Sequence, residues 1–267
     1  MPEIIHKELS YNVRGVLLDV HKALGPSLPE AFYQEAVTVG LKAKGIEGQP
    51  QKEFEVSYRQ RRVGLYYVDV WIEGGKILLE LKVAAQILPL HQAQALSYLK
   101  VTGADLAIVA NFGAKSLEDK RLPNFLQDKV ANLEWEPQPV SAKLPYPELT
   151  ARLLQACHRV HIELGPGFLH QVYRRATMIE LQQQDLSYQY IKQIPITYQG
   201  RQLGMQAVRL IAVADKVLLA TVAVGQVDEA LKAKLQARLK QLGFRLGLLV
   251  NFNRTTLEAV TVQTIAT

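Results

Sequence analysis

The sequence predicts an α/β protein made of two tandem domains, each with a mixed central sheet flanked by helices. Three observations lead to this prediction: the chain repeats itself at an offset of 140 residues, each copy has the order ααβββαβ, and each copy combines a hairpin with a crossover helix. A hairpin pairs antiparallel strands and a helical crossover joins parallel ones, so the sheet should contain both directions.

The repeat is read directly from the chain. HKALGPSLPEAFY, which begins at His21, returns as HIELGPGFLHQVY at His161, and the same offset holds without a gap through the rest of the copy. We therefore predict a first domain over 1–133, a linker over 134–147 and a second domain over 148–267. Prolines and polar residues in the middle segment are typical of an extended linker.

Local signals place the elements of the first copy in order. A helix is expected to end at Leu24, because Gly25 favours a left-handed cap and Pro26 cannot continue it. A second helix begins near Pro29 and ends before Gly45. The remaining elements are strands near 52–58, 63–73 and 76–83, a helix near 89–101 and a strand over 106–111.

Composition narrows the class of protein. The single cysteine, Cys157, excludes an intramolecular disulfide and a cysteine-based zinc cluster. No apolar run reaches the roughly 18 residues of a membrane span. We therefore expect a cytoplasmic protein that does not use a membrane.

Charge is distributed unevenly between the halves. Residues 1–140 hold 16 Lys and Arg against 17 Asp and Glu, whereas residues 141–267 hold 15 against 8. Such asymmetry favours an anionic partner, such as nucleic acid, for the basic half.

The hairpin DVWIEGGKILLELK, over 69–82, raises a question of charge. With a tight turn at Gly74-Gly75, Asp69 lies directly against Glu80, and like charges at that distance repel. A hard cation such as Mg²⁺, bound by both carboxylates, would remove the repulsion. Lys82 shares the face of Glu80, so neutralisation by this lysine alone is the competing explanation.

Comparing the copies separates kept residues from lost ones. His21 and Tyr33 return as His161 and Tyr173, which indicates structural roles, with each histidine bonding carbonyl groups at a helix end. A second set of polar positions changes together, which suggests one site in the first copy. Glu30, Asp69, Glu80, Lys82, His91, Gln94 and Tyr98 correspond to His170, Arg209, Ala220, Val222, Leu231, Lys234 and Arg238.

At these residues the sequence resembles a known family. Asp69 followed by Glu80-Leu81-Lys82 is similar to the Asp…(Asp/Glu)-x-Lys signature of the PD-(D/E)XK nuclease superfamily. Glu30 and Tyr33 resemble the GxxExxY protein family within it, with Ser27 at its first glycine. The segment from Gln94 to Tyr98 resembles the Gln-x-x-x-Tyr motif of RecB-like nucleases.

The resemblance implies restriction-endonuclease-like domains and a set of roles. Asp69, Glu80, the carbonyl of Leu81 and Glu30 would bind Mg²⁺ or Mn²⁺. Lys82 would orient the attacking water, so Lys82, Glu80, Asp69 and Glu30 form the expected catalytic set. Gln94, Tyr98 and Tyr33 would contact the substrate, and His91 either joins them or is an exposed helix histidine.

The second copy has no carboxylate at the expected metal positions. Its basic replacements Arg209, Lys234 and Arg238 are expected to contact phosphates without catalysis, unless drift alone placed them there.

The sequence therefore predicts a metal-dependent nuclease acting on DNA or RNA, with a catalytic first domain and a binding or structural second one. The alternative is a non-catalytic nucleic-acid-binding or protein-scaffolding module that retains the fold. A homodimer or a protein partner stays open.

Overall fold

The structure is a computed structural model and describes residues 5–125 and 139–264. By Cα proximity these residues form two compact units, 5–57 with 64–125 and 58–63 with 139–264. The predicted end of the first domain at 133 and the first part of the predicted linker over 134–147 fall on residues 126–138, which lie outside the described residues. Residues 139–146 contain neither helix nor strand. No helix in the described ranges combines the length and apolar character needed to cross a membrane.

The first copy contains three α-helices and five strands. They are α1 (Lys7–Leu24), α2 (Glu30–Ala43), β1 (Gly48–Tyr58), β2 (Arg61–Ile72), β3 (Ile77–Lys82), α3 (Pro89–Thr102), β4 (Leu106–Asn111) and β5 (Glu118–Pro123). A 3₁₀ turn, Glu73–Gly75, joins β2 to β3.

The second copy repeats this order at the predicted offset. Its elements are α4 (Pro147–Leu164), α5 (His170–Gln183), β6 (Tyr188–Tyr198), β7 (Arg201–Val213), β8 (Val217–Val222), α6 (Glu229–Leu242), β9 (Leu246–Asn251) and β10 (Glu258–Gln263). The duplication and the α/β fold class are therefore confirmed.

Each copy has one five-stranded mixed sheet, with strand orders β1-β2-β3-β4-β5 and β10-β9-β8-β7-β6. The central pairs β3/β4 and β8/β9 are parallel because α3 and α6 cross over between them. The hairpin pairs β2/β3 and β7/β8 are antiparallel. The expectation of two strand directions in one sheet is thus confirmed.

The fifth strand of each copy was missed by the sequence analysis. β5 has the sequence EDKRLP, with no alternation of apolar residues and with a proline at its end. It lies at the sheet edge and is only partly buried, so its pairing with β4 leaves no hydrophobic signature. The first strand also begins at Gly48, four residues before the predicted start.

Alternate residues of the central strands pack against helices on opposite faces. Leu79 and Leu81 lie in a core with residues of α1 and α2, whereas Leu78 lies in a core with Ala95 and Leu99 of α3. This alternation places Glu80 and Lys82 on the side of β3 that faces α3. The strand therefore carries its polar residues away from the larger core.

Residues kept in both copies lie at the end of the first helix of each copy, where a histidine bonds a backbone carbonyl oxygen. His21 Nε2 lies 3.0 Å from the Ala114 carbonyl oxygen, and His161 Nε2 lies 2.7 Å from that of Arg254. Gly25 has φ 69° and ψ −171°, so it ends α1 outside the left-handed helical basin expected for it.

Tyr33 is fully buried, which corrects the expectation that it contacts substrate. Its hydroxyl donates to the Gly25 carbonyl and accepts from Leu28 N at 3.1 Å, and its ring stacks on Phe112 at 4.5 Å. Tyr173 makes the equivalent bonds in the second copy, to the Gly165 carbonyl and from Phe168 N. Tyr33 thus fixes the turn before α2 and, through it, the start of the helix that carries Glu30.

We predict that Tyr33→Phe lowers the free energy of unfolding by about 1 to 3 kcal/mol, because the Gly25 carbonyl and Leu28 N lose a buried partner. Urea unfolding followed by circular dichroism measures the change, with Tyr11→Phe as control because Tyr11 is 79% exposed. An unchanged stability together with weaker nucleic-acid binding would instead assign Tyr33 to the substrate.

Candidate active site in the first copy

The site lies where β2 and β3 stop pairing with each other. The two strands pair through Val70↔Leu79, Trp71↔Leu78 and Ile72↔Ile77, in the register that the sequence predicted. The predicted pair of Asp69 with Glu80 lies beyond this ladder, and the turn includes Glu73 as well as the two glycines. Beyond these pairs, the Asp69 carboxylate takes the place of a backbone acceptor: Leu81 N donates to Asp69 Oδ2 at 2.7 Å. The ladder thus ends in a buried carboxylate.

Glu80 and Lys82 form the centre of the site. Lys82 Nζ lies 2.5 Å from Glu80 Oε1 and donates to the Leu81 carbonyl at 2.8 Å. Glu80 is only 1% exposed, and its second carboxylate oxygen, Oε2, is buried without a hydrogen-bond partner. The Oε2 atom of Glu80 can therefore still accept a hydrogen bond or bind a cation.

Glu30 reaches the same lysine from the N-terminus of α2. Its Oε2 lies 3.9 Å from Lys82 Nζ, and its side chain is 43% exposed. Two carboxylates, those of Glu30 and Glu80, therefore lie within ion-pair distance of one ammonium group, and the charge of Asp69 acts on it from further away.

Burial and mutual repulsion shift the titration of all these groups. Burial raises the pKa of Glu80 to about 8, with Asp69 adding to the rise and Lys82 opposing it. Burial also raises the pKa of Asp69 and of Glu30, in both cases against the pull of Lys82. Burial alone would lower the pKa of Lys82, but Glu80, Glu30 and Asp69 raise it. The lysine therefore stays charged while the carboxylates resist ionisation.

The donor set fits a hard divalent cation in chemistry. Carboxylate oxygens of Asp69 and Glu80, together with the Leu81 carbonyl, are the ligands that Mg²⁺ and Mn²⁺ prefer. Within the described residues, however, no three Asp, Glu, His or Cys side chains form a ready cluster for a metal ion. Lys82 Nζ contacts both Glu80 and the Leu81 carbonyl, so metal binding requires this ammonium group to move aside.

Gln94 and Tyr98 extend the site along α3. Gln94 Nε2 donates to the Tyr98 hydroxyl at 3.1 Å, as their spacing of four on a helix allows. Burial raises the pKa of Tyr98 to about 12, and the charge of Glu80 adds to the rise. His91 points back instead: its Nδ1 accepts from Leu88 N at 3.2 Å and caps α3.

Two residues of the site were missed by the sequence analysis. Gln51 Nε2 donates to Asp69 Oδ1 at 3.3 Å, and the Tyr66 ring contacts that of Tyr98 edge-on at 5.6 Å. Comparison of the two copies could have identified both residues, because Gln51 corresponds to Ile191 and Tyr66 corresponds to Gln206. Neither position carries a titratable carboxylate or lysine, so neither was singled out.

The corresponding residues of the second copy also lie together. Arg209 Nη1 is 3.5 Å from His170 Nε2. The residues at the positions of Asp69 and Glu30 therefore contact each other in the second copy. The replacements Lys234 and Arg238 line the same cavity as these two residues. The positions that changed together in sequence are thus neighbours in the fold.

Comparison with known proteins agrees with this fold. A sequence model of the PD-(D/E)XK nuclease superfamily matches residues 7–122 and again residues 147–263. The match does not distinguish the GxxExxY family from other members, so that finer assignment stays a prediction. No curated protein matches the sequence significantly.

One similar solved structure, titled "Crystal structure of SSO0001", shares 15% sequence identity with a TM-score of 0.29. The match covers 45% of this chain and 62% of that one. A likeness at this level carries no argument about function.

We predict that, without divalent metal, the protein loses stability as the pH rises from about 4.5 to about 8 through the titration of Glu80. The unfolded chain releases this proton near the ordinary glutamate pKa, whereas the folded protein retains it until the pH approaches the raised value. Stability from the neutral carboxyl is therefore complete below the lower pKa and lost through the higher one.

The measurement is the melting temperature of wild type and Glu80→Gln in EDTA, from about pH 5 to about pH 9. Titrating groups distant from Glu80 cancel in the difference, which should move in favour of the glutamine variant as the pH rises. Parallel curves for the two proteins would contradict the raised pKa.

Proposed function

Since the chain belongs to the PD-(D/E)XK nuclease superfamily, we propose that its first copy is a Mg²⁺- or Mn²⁺-dependent nuclease that hydrolyses phosphodiester bonds of DNA or RNA. The observation that carries the proposal is the buried set of Asp69, Glu80 and Lys82, with Glu80 Oε2 left without a partner. Burying two carboxylates beside one lysine is costly for a purely structural strand end. A site that receives a divalent cation explains the cost.

In this proposal Asp69, Glu80 and the Leu81 carbonyl hold the metal, with Glu30 completing the acidic set from α2. The bound metal would supply a positive charge for the scissile phosphate and lower the pKa of a water molecule. Lys82 keeps its proton, because its pKa is raised, so it donates to the attacking water or to a phosphoryl oxygen rather than accepting a proton.

The remaining residues position the substrate. Gln94 and Tyr98 present an amide and a phenol at the edge of the carboxylate cluster, where they suit contact with the sugar-phosphate backbone. Gln51 holds the Asp69 carboxylate in place from β1. The second copy has Ala220 and Val222 at the positions of Glu80 and Lys82. We propose that it binds nucleic acid or has a structural role, and that it does not cleave phosphodiester bonds.

One observation favours a second candidate, a nucleic-acid-binding or scaffolding module without catalysis. Lys82 already contacts the two groups, Glu80 and the Leu81 carbonyl, that a metal would need. A lysine that stays there would satisfy the acidic pocket without a metal.

The test is cleavage of labelled single- and double-stranded DNA and RNA with Mg²⁺ or Mn²⁺. We predict that Lys82→Met lowers the rate by about 10² to 10⁴, the range for loss of a group that acts in the transition state. Lys76→Met is the matched control: Lys76 is an exposed lysine of the same hairpin, 3.9 Å from Glu73. Its rate should equal that of wild type.

Metal-dependent cutting that survives Lys82→Met would show that this site is not responsible. Binding of the same substrates without cutting by wild type would support the module without catalysis.

A further inference from the structure

The second copy contains a pocket at the position of the first copy's site. β7 and β8 pair through Ile211↔Leu219, Ala212↔Leu218 and Val213↔Val217 and then diverge, and a bulge lies in β7 next to Arg209. A cavity of about 320 Å³ opens where they separate. Its volume lies at the lower end of the range for small-molecule sites.

The lining of this cavity is strongly basic. Arg209 comes from the bulge, His170 and Arg174 come from α5, and Lys234 and Arg238 come from α6. No Asp or Glu is among the described residues that line it. Burial lowers the pKa of His170, as do Arg174 and Arg209, so the histidine stays neutral at neutral pH. The four remaining cationic side chains repel one another unless an anion lies between them.

Arg174 is buried to an unusual degree for an arginine. It is only 7% exposed, and its guanidinium lies 5.4 Å from the centre of the Tyr190 ring. Its side chain hydrogen-bonds Tyr190, whereas in the described ranges no carboxylate forms an ion pair with it and the neighbouring charged groups, Arg209 and Arg175, are basic. The positive charge of this buried guanidinium is therefore balanced by no carboxylate within the described residues, and an anion in the cavity would supply that balance.

Two polar atoms at the cavity also lack partners. Thr221, which is 6% exposed, has an Oγ1 that makes no hydrogen bond, and Arg238 Nε is buried without an acceptor. Both groups can donate to an anionic oxygen. Because both atoms are closed off from solvent in this structure, the ligand is inferred from the cationic lining of the cavity rather than from them.

The rest of the wall is apolar. Leu231 and Leu235 of α6 and Leu210, Val222 and Leu249 of the sheet line the cavity beside the basic groups. A bare inorganic phosphate would contact the guanidinium groups and leave this surface uncovered. An occupant that carries a phosphate on an organic ring system would use both parts.

We propose that this pocket binds a nucleoside monophosphate, either free or as the terminal nucleotide of a nucleic-acid strand. The phosphate lies against Arg174, Arg209 and Arg238, and the base and sugar lie against the apolar wall. The pocket is a binding site separate from the carboxylates of the first copy, and the proposal holds whether or not that copy cleaves.

The test uses the full-length protein and isothermal titration calorimetry with AMP, adenosine and inorganic phosphate. AMP should bind more tightly than inorganic phosphate, and adenosine should bind least. The double variant Arg209→Gln/Lys234→Gln should weaken AMP binding by about tenfold or more, since two charged donors are lost. Both side chains are exposed, so the fold should survive.

Two further variants sharpen the result. Ala220→Glu restores the acid that the first copy carries at this position and should abolish AMP binding by repulsion. Lys240→Gln removes an exposed lysine of α6 that does not line the pocket and should leave binding unchanged. Equal weakening by Lys240→Gln would reduce the effect to general surface charge and overturn the proposal.

Short single-stranded oligonucleotides with and without a 5′-phosphate distinguish the two sources of the nucleotide. Tighter binding of the phosphorylated strand, lost in Arg209→Gln/Lys234→Gln, identifies a strand terminus, whereas binding of AMP alone identifies a free nucleotide. The proposal is overturned if neither binds, if inorganic phosphate binds as tightly as AMP, or if AMP binding is lost only in Asp69→Asn/Glu80→Gln.

Discussion

The early end of the β2/β3 ladder is the constraint on which the first copy's site depends. After Val70↔Leu79 the strands separate, and the carboxylate of Asp69 rather than a backbone carbonyl receives Leu81 N. Glu80 is thereby held beside a second buried acid, with Lys82 as the nearest positive charge. The raised pKa values of both acids follow from this geometry, and so does the affinity for a cation that we propose.

In the second copy β7 and β8 also separate after three residue pairs, but Ile211 rather than Leu210 pairs with Leu219, so the register differs by one residue from that of the first copy. The charge around the separation is reversed. Arg209 occupies the position of Asp69, and Ala220 removes the second acid. The Tyr66 and Tyr98 contact becomes a hydrogen bond from Arg238 to Gln206. The two pockets therefore lie at the same end of equivalent strand pairs, but they differ both in their side chains and in the register of the strands that frame them.

Much of this arrangement could be predicted from the sequence, since the repeat gave each position an internal comparison. The hairpin register, the strand bearing Glu80 and Lys82, and the grouping of the changed positions all followed from spacing and periodicity. β5 could not be predicted, because an edge strand of charged residues leaves no apolar pattern. Motif spacing also did not reveal that the Tyr33 hydroxyl forms hydrogen bonds with the Gly25 carbonyl and Leu28 N, or that Lys82 contacts the Leu81 carbonyl. Those depend on three-dimensional packing.

The most direct test of the account is calorimetric titration of the metal-free, full-length protein with Mn²⁺. We predict binding by wild type that is lost in Asp69→Asn/Glu80→Gln and kept in Glu35→Gln/Glu53→Gln, whose acids are exposed on α2 and β1 of the same copy. The second copy, with no acid at either position, should add no binding of its own. Absence of binding by wild type, or binding that survives Asp69→Asn/Glu80→Gln, would contradict the claim that these buried carboxylates are built for a divalent cation.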